Sequence, residues 1–144
     1  MSAYDVAHLF KRFLIELPEP ILTTEGYKKF MALRVPKNVI KDSSKDLDGM
    51  DAGEIDDLCT EIKAIINKLP VVYRDFSRAV FAFLLTCTEN SKKNKMGPNN
   101  LAIVMAPSIL RSSSPDPNHM DMDAMTKANK LVAFMIENCF SIFY

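Results

Sequence analysis

Apolar positions recur along most of this chain at helical spacing. Val6, Leu9, Phe10, Phe13, Leu14 and Leu17 follow an i, i+3, i+4, i+7 rule, with Asp5 placed to cap the start and Pro18-Glu19-Pro20 to stop the run. A short second helix is expected from Thr23 or Thr24. It carries Tyr27, Phe30 and Met31 and ends before Pro36. The polar stretch 37–50 reads as a surface loop. Asp51 and Glu54 then resemble a capping box ahead of a stripe of Ile55, Leu58, Ile62, Ile65, Ile66 and Leu69, which Pro70 ends.

The next segment keeps the period through Tyr73, Phe76, Val80, Phe83, Leu84 and Cys87, while Ala79, Phe81, Ala82 and Leu85 widen its apolar face. A helix apolar nearly all round is expected at the centre of a domain. After a polar, basic turn, Gly97-Pro98 opens a helix at Asn99, as suits Pro in a first turn. Leu101 to Ala106 is an unbroken apolar run, short enough for a buried strand, but no second strand of comparable quality exists to pair with it. Pro107 should end or kink this helix. A breaker-rich loop over 111–120 precedes a last helix, capped by Asp121 or Asp123, with Met125, Ala128, Leu131, Val132, Met135, Ile136 and Cys139 on one side. The reading is six helices, no convincing sheet and no internal repeat: an all-α, single-domain bundle.

Composition agrees with a soluble domain. The chain has 144 residues, 48% apolar and 25% charged, with 18 basic and 18 acidic side chains. That length suffices for one domain that buries roughly 68–70% of its unfolded surface without staples. No 18-residue apolar run exists and the first residues lack a signal-peptide pattern, so an intracellular, cytoplasmic location is expected without a transmembrane segment. Zero net charge removes any general pull on nucleic acid, and none is expected as a partner. The zero hides opposed regions: net −5 over residues 41–63 and net +5 over 64–111. A basic middle suits an acidic partner, and alternating solvated faces give the same sums.

Candidate chemistry is sparse. Cys59, Cys87 and Cys139 are widely spaced with no nearby His, and His8 and His119 have no partner spacing, so neither a disulfide framework nor a metal site is expected. Phosphate-loop, dinucleotide and metalloprotease motifs are absent, and no cofactor is expected. Asp56 and Asp57 read as a solvated face, and the nine Met residues as core filler.

Two blocks carry more information. One is Val6-Ala7-His8-Leu9-Phe10-Lys11-Arg12-Phe13-Leu14-Ile15-Glu16-Leu17-Pro18-Glu19-Pro20; the other runs from Asn90 to Pro107 and contains Asn94-Lys95-Met96 and Asn100-Leu101-Ala102-Ile103-Val104. Together they resemble the signature blocks of the Rho-type GTPase-activating (RhoGAP) domain, V-A-x-L-L-K-x-Y-L-R-E-L-P-E-P and N-K-M-x-x-x-N-L-A-I-V-F-x-P. The segment 129–138 is similar to that family's closing helix, and the resemblance spans almost the whole chain.

The resemblance implies a helical domain that binds a Rho- or Rac-type small GTPase in its GTP-bound form and speeds hydrolysis, a regulator rather than an enzyme with substrate chemistry of its own. By resemblance, Lys11 supports the catalytic loop and faces the GTPase switch surface. Asn100 contacts the GTPase close to the nucleotide, Ile103 is an apolar position at the same interface, Asn94 is a turn-fixing residue, and Asn129 is a weaker match. Residue chemistry also admits plainer roles: Lys11 can lay its stem along the Phe10, Leu14 and Leu17 stripe, and Asn100 can serve local capping.

Two departures from the family bear on activity. An Arg four residues after the block's Lys is replaced by Ile15, and Arg12 lies about 300° around the helix from that position. The family's arginine finger lies some tens of residues upstream of the first block, which here begins five residues after Met1. A finger supplied in trans contributes roughly 10³ to 10⁵ in rate, or about 4–7 kcal/mol. The expectation is therefore an N-terminally truncated domain over 1–144 whose GTPase-activating activity is weak or absent. A non-catalytic interaction module or a helical scaffold is the alternative. Surface left bare by the missing helices predicts self-association or a partner helix over it.

Overall fold

The computed structural model describes residues 3–33, 52–89, 97–111 and 122–144. Within them lie seven helices: α1 (Ala3–Glu16), α2 (Thr24–Ala32), α3 (Ala52–Asn67), α4 (Val71–Glu89), α5 (Pro98–Ile109), α6 (Met122–Glu137) and α7 (Cys139–Phe143). No strand occurs among the described residues, in keeping with the all-α expectation. The loop expected over 37–50, the cap at Asp51 and all but Arg111 of the loop over 111–120 lie outside the described residues.

Local chemistry sets the boundaries. The Pro18-Glu19-Pro20 stop does more than break α1, because the Glu19 carboxylate accepts from the Thr24 backbone N–H at 3.1 Å and from the Thr24 hydroxyl at 3.3 Å. Thr23 caps α2, its Oγ1 accepting from the Gly26 N–H at 2.9 Å, while its own backbone sits at φ 63°. A β-branched residue held there stores about 1–3 kcal/mol of strain, which the buried cap must hold in place.

Several boundaries differ from expectation. α1 begins at Ala3, so Asp5 sits within the first turn rather than at the cap. α5 starts at Pro98 and continues through Pro107 to Ile109 instead of stopping. Pro107 is on the exposed side, where water can satisfy the carbonyl that loses its helical donor. The last helix ends at Glu137, and Asn138 folds back on Phe134, its backbone N–H donating to the Phe134 carbonyl at 2.9 Å and its side-chain amide at 3.0 Å. Cys139 therefore belongs to a separate short helix. Asp123 lies inside α6, not at its cap.

The largest correction concerns which helix is central. α4 was expected to be enclosed, yet Val72 is 76% and Phe83 46% exposed. The enclosed helix is α6, buried at six successive positions from Leu131 to Ile136 and packed against α2, α4, α5 and α7. Around it Leu14, Phe30, Ile62, Ile66, Phe81, Leu84 and Ile109 close the core, each stabilising the fold by about 1.5–3 kcal/mol. Polar ties hold the periphery: Ser77 Oγ donates to the Ile21 carbonyl at 3.1 Å, and Lys127 Nζ to the Met31 carbonyl at 2.5 Å. Asp56 and Asp57 are exposed, as a solvated face requires.

Candidate functional site

α1 lies at the surface between α5 and α4, and its two flanks differ. Phe10 and Phe13 turn toward α4, where Phe10 meets Phe83 edge-on at 5.4 Å between ring centroids and Phe13 meets Phe76 at 6.3 Å. Rising numbers on α1 pair with falling numbers on α4, so these helices run antiparallel. Lys11 stands about 160° around α1 from Phe13, and Ile15 about 40° from Lys11, which puts both on the opposite flank, beside α5.

α5 is fixed against that flank by a clamp. Arg111 Nη2 donates to the Leu17 carbonyl at 2.7 Å, joining the residue just past α5 to the residue just past α1. The hydrogen bond ties the C-terminal ends of these two packed helices together. Lys11 lies toward the C-terminal end of α1 and Ile103 midway along α5.

The outward stripe of α5 consists of Asn100, Ile103, Val104 and Pro107, all within about 100° of arc, while Leu101, Ala102, Met105, Ser108 and Ile109 face the core. Ile103 is 58% exposed, and Ile15 across the junction is 44% exposed. Lys11 is half-buried and makes no ion pair among the described residues. Its stem thus has apolar cover, and no acidic side chain of those described neutralises the ammonium. Of the residues singled out from sequence, Lys11 lies on α1 and Asn100 and Ile103 lie on α5, two helices in contact. Asn129 is half-buried on α6, a different helix, and Asn94 lies outside the described residues.

Sequence reading missed Val104, Pro107 and the Arg111 clamp. The stripe was legible as the complement of the buried positions 101, 102, 105, 108 and 109; the unbroken apolar run from Leu101 to Ala106 hid it.

The described arginines are engaged. Arg12 Nε pairs with Glu16 at 2.9 Å, Arg74 with Asp75 at 3.6 Å, Arg78 lies 5.5 Å over the Tyr144 ring, and Arg111 holds Leu17. Among the described residues no group of three or more His, Cys, Asp or Glu side chains is arranged to hold a metal ion, and no helix is long and apolar enough to cross a membrane. An open cavity of about 270 Å³ between α2 and α3 is lined by Glu19, Thr23, Lys29 and Lys68, with the Glu19 carboxylate already spent on Thr24.

Comparison with known proteins fits this arrangement. Rho GTPase-activating protein 21 of Mus musculus is 31% identical over 133 residues, which cover 92% of this chain and 6% of that protein. Rho GTPase-activating protein 7 of Homo sapiens is 30% identical over 161 residues, covering 99% of this chain and 9% of the relative. The chain thus spans less than a tenth of the length of these relatives. The crystal structure of human Rho GTPase activating protein 15 superposes with a TM-score of 0.70 at 25% identity, over 93% of this chain and 55% of that one. The BH domain from GRAF, the GTPase regulator associated with focal adhesion kinase, shares the fold with a TM-score of 0.65 at 22% identity. The RhoGAP domain itself matches residues 1–114, and the chain belongs to that family.

Proposed function

We propose that this chain binds a Rho-family small GTPase in its GTP-bound form through the α1–α5 surface, with Lys11 and Asn100 as polar contacts and Ile103 as an apolar one. The observation that supports the reading is the hydrogen bond of Arg111 to Leu17, which ties the helix bearing a half-buried Lys11 to the helix bearing an exposed Ile103. A cation with no ion pair among the described residues suits the acidic or carbonyl groups of a partner, and an amide can both donate and accept.

Regulation rather than substrate turnover is the role, exercised in the cytoplasm. On this reading the 144 residues bind more than they accelerate, because Arg12, Arg74, Arg78 and Arg111 each already contact a group of this chain. What remains is ordering of the GTPase's own catalytic groups. The exposed aromatic face of α1 and α4 supports self-association through Leu9, Phe13, Val72 and Phe83.

Single-turnover GTP hydrolysis by a panel of Rho-family GTPases, with and without the chain, tests this. Tight binding of the GTP-analogue form with less than about a hundredfold acceleration is expected; a larger acceleration overturns the weak-activity reading. Lys11→Ala and Asn100→Ala should each weaken binding about tenfold, and unchanged affinity in both removes them from the interface.

A further inference from the structure

The outward stripe of α5 is mostly apolar and carries at its centre a backbone acceptor that Pro107 leaves without its usual helical donor. Pro107 sits inside the helix and has no N–H to return to the Ile103 carbonyl, so that oxygen lacks its i+4 helical donor. Around it lie Ile103, 58% exposed, Val104, 38% exposed, and Pro107 itself. Ile15 extends the same apolar surface onto α1, next to Lys11. Exposed branched side chains scattered singly carry no message, but two packed helices joined by the Arg111–Leu17 bond carry four exposed apolar residues together with one Lys and one Asn, the make-up of an apolar interface with a polar rim.

Resting on the GTPase-binding reading above, we propose that Ile15 is a specificity-determining contact and that the surface selects a GTPase whose facing side chains are apolar, with one N–H or O–H donor meeting the Ile103 carbonyl. A cation at position 15 would instead draw on a charged counterpart, with attraction that fades as salt rises. Apolar burial varies little over the same range. Pro107 serves the same end by keeping one backbone oxygen out of the helix ladder, at some cost to α5.

The full chain, titrated against each Rho-family GTPase carrying a non-hydrolysable GTP analogue at low and physiological salt, tests the proposal. Ile15→Ala should weaken binding about fivefold and Ile15→Arg at least about tenfold, the latter with a steeper dependence on salt. Pro107→Ala should weaken binding severalfold while the melting temperature holds or rises, since the restored N–H captures the carbonyl; a purely structural proline would not give opposite signs. Val71→Ala, at an exposed site on α4, should leave affinity unchanged. Binding undiminished in both Ile15 variants, or tightened by Ile15→Arg, overturns the specificity role, and unchanged affinity in Pro107→Ala overturns the carbonyl contact. No binding of the unaltered chain to any member overturns the GTPase reading and this inference with it.

Discussion

The two flanks of α1 are both apolar and both exposed, yet they are built for different kinds of contact. On the α5 side, Ile15, Ile103 and Val104 are interleaved with Lys11 and Asn100, and the junction is fixed by the hydrogen bond from Arg111 to Leu17. On the α4 side, Leu9, Phe13, Val72 and Phe83 surround two edge-on aromatic pairs. Such pairs contribute about 0.5–1.5 kcal/mol each but do not choose a partner, because apolar burial is non-directional. Polar groups set among apolar ones give direction, since a wrong partner leaves them unpaired. Exposed apolar area alone therefore does not single out the proposed binding surface. The interleaved polar groups do.

Leu14 lies beneath both flanks and is fully buried, so Leu14→Ala should have the largest effect. A loss of about 2–5 kcal/mol is expected in urea unfolding, with GTPase binding and self-association failing together. Loss of one without the other would show that α1 does not hold the two flanks as a unit. Arg111→Ala separates them. Removing a charged donor from the Leu17 carbonyl should cost about 1–2 kcal/mol, taking the low end of the range because the arginine is partly solvated. It should weaken GTPase binding and leave sedimentation behaviour unchanged. Phe13→Ala does the reverse: about 1 kcal/mol or less of stability, no change in GTPase affinity, and loss of concentration-dependent self-association by analytical ultracentrifugation.

Much of this fold was legible from periodicity, because i, i+3, i+4 spacing reports the buried side of a helix directly: Leu14, Phe30, Ile62 and Leu131 are all fully buried where the pattern put them. What periodicity misjudged was how much of a wide apolar face finds cover. α4 and α6 both read as broad stripes, and only the tertiary arrangement decides that Leu131 to Ile136 are enclosed while Val72 and Phe83 face outward. The candidate surface was legible in part for the same reason. Lys11, Asn100 and Ile103 stood out through motif resemblance, whereas the Arg111 clamp joins residues 94 positions apart and has no local signal. Of the two outcomes Pro107 allows, an end or a kink, the helix does not end there, and the outward position of the ring that permits this has no local signal.

Cys87 offers the smallest effect and a way to follow one flank alone. It lies one helical turn beyond Phe83 and is half-buried, while Cys59 and Cys139 are buried. Burial pushes the thiols above their ordinary value of 9.0, so little thiolate is present at neutral pH. Alkylation of the native chain should therefore be slow, faster as pH rises, and confined at first to Cys87. The unfolded thiols ionise at lower pH than the folded ones, so this contribution to stability is complete below about pH 9 and falls as pH rises through the folded values. Covering the α1–α4 flank by self-association should slow Cys87 labelling severalfold at high protein concentration. Saturating GTPase on the α1–α5 flank should not. Equal protection by both would mean that the two surfaces are not independent, and that one occupant spans α1 from side to side.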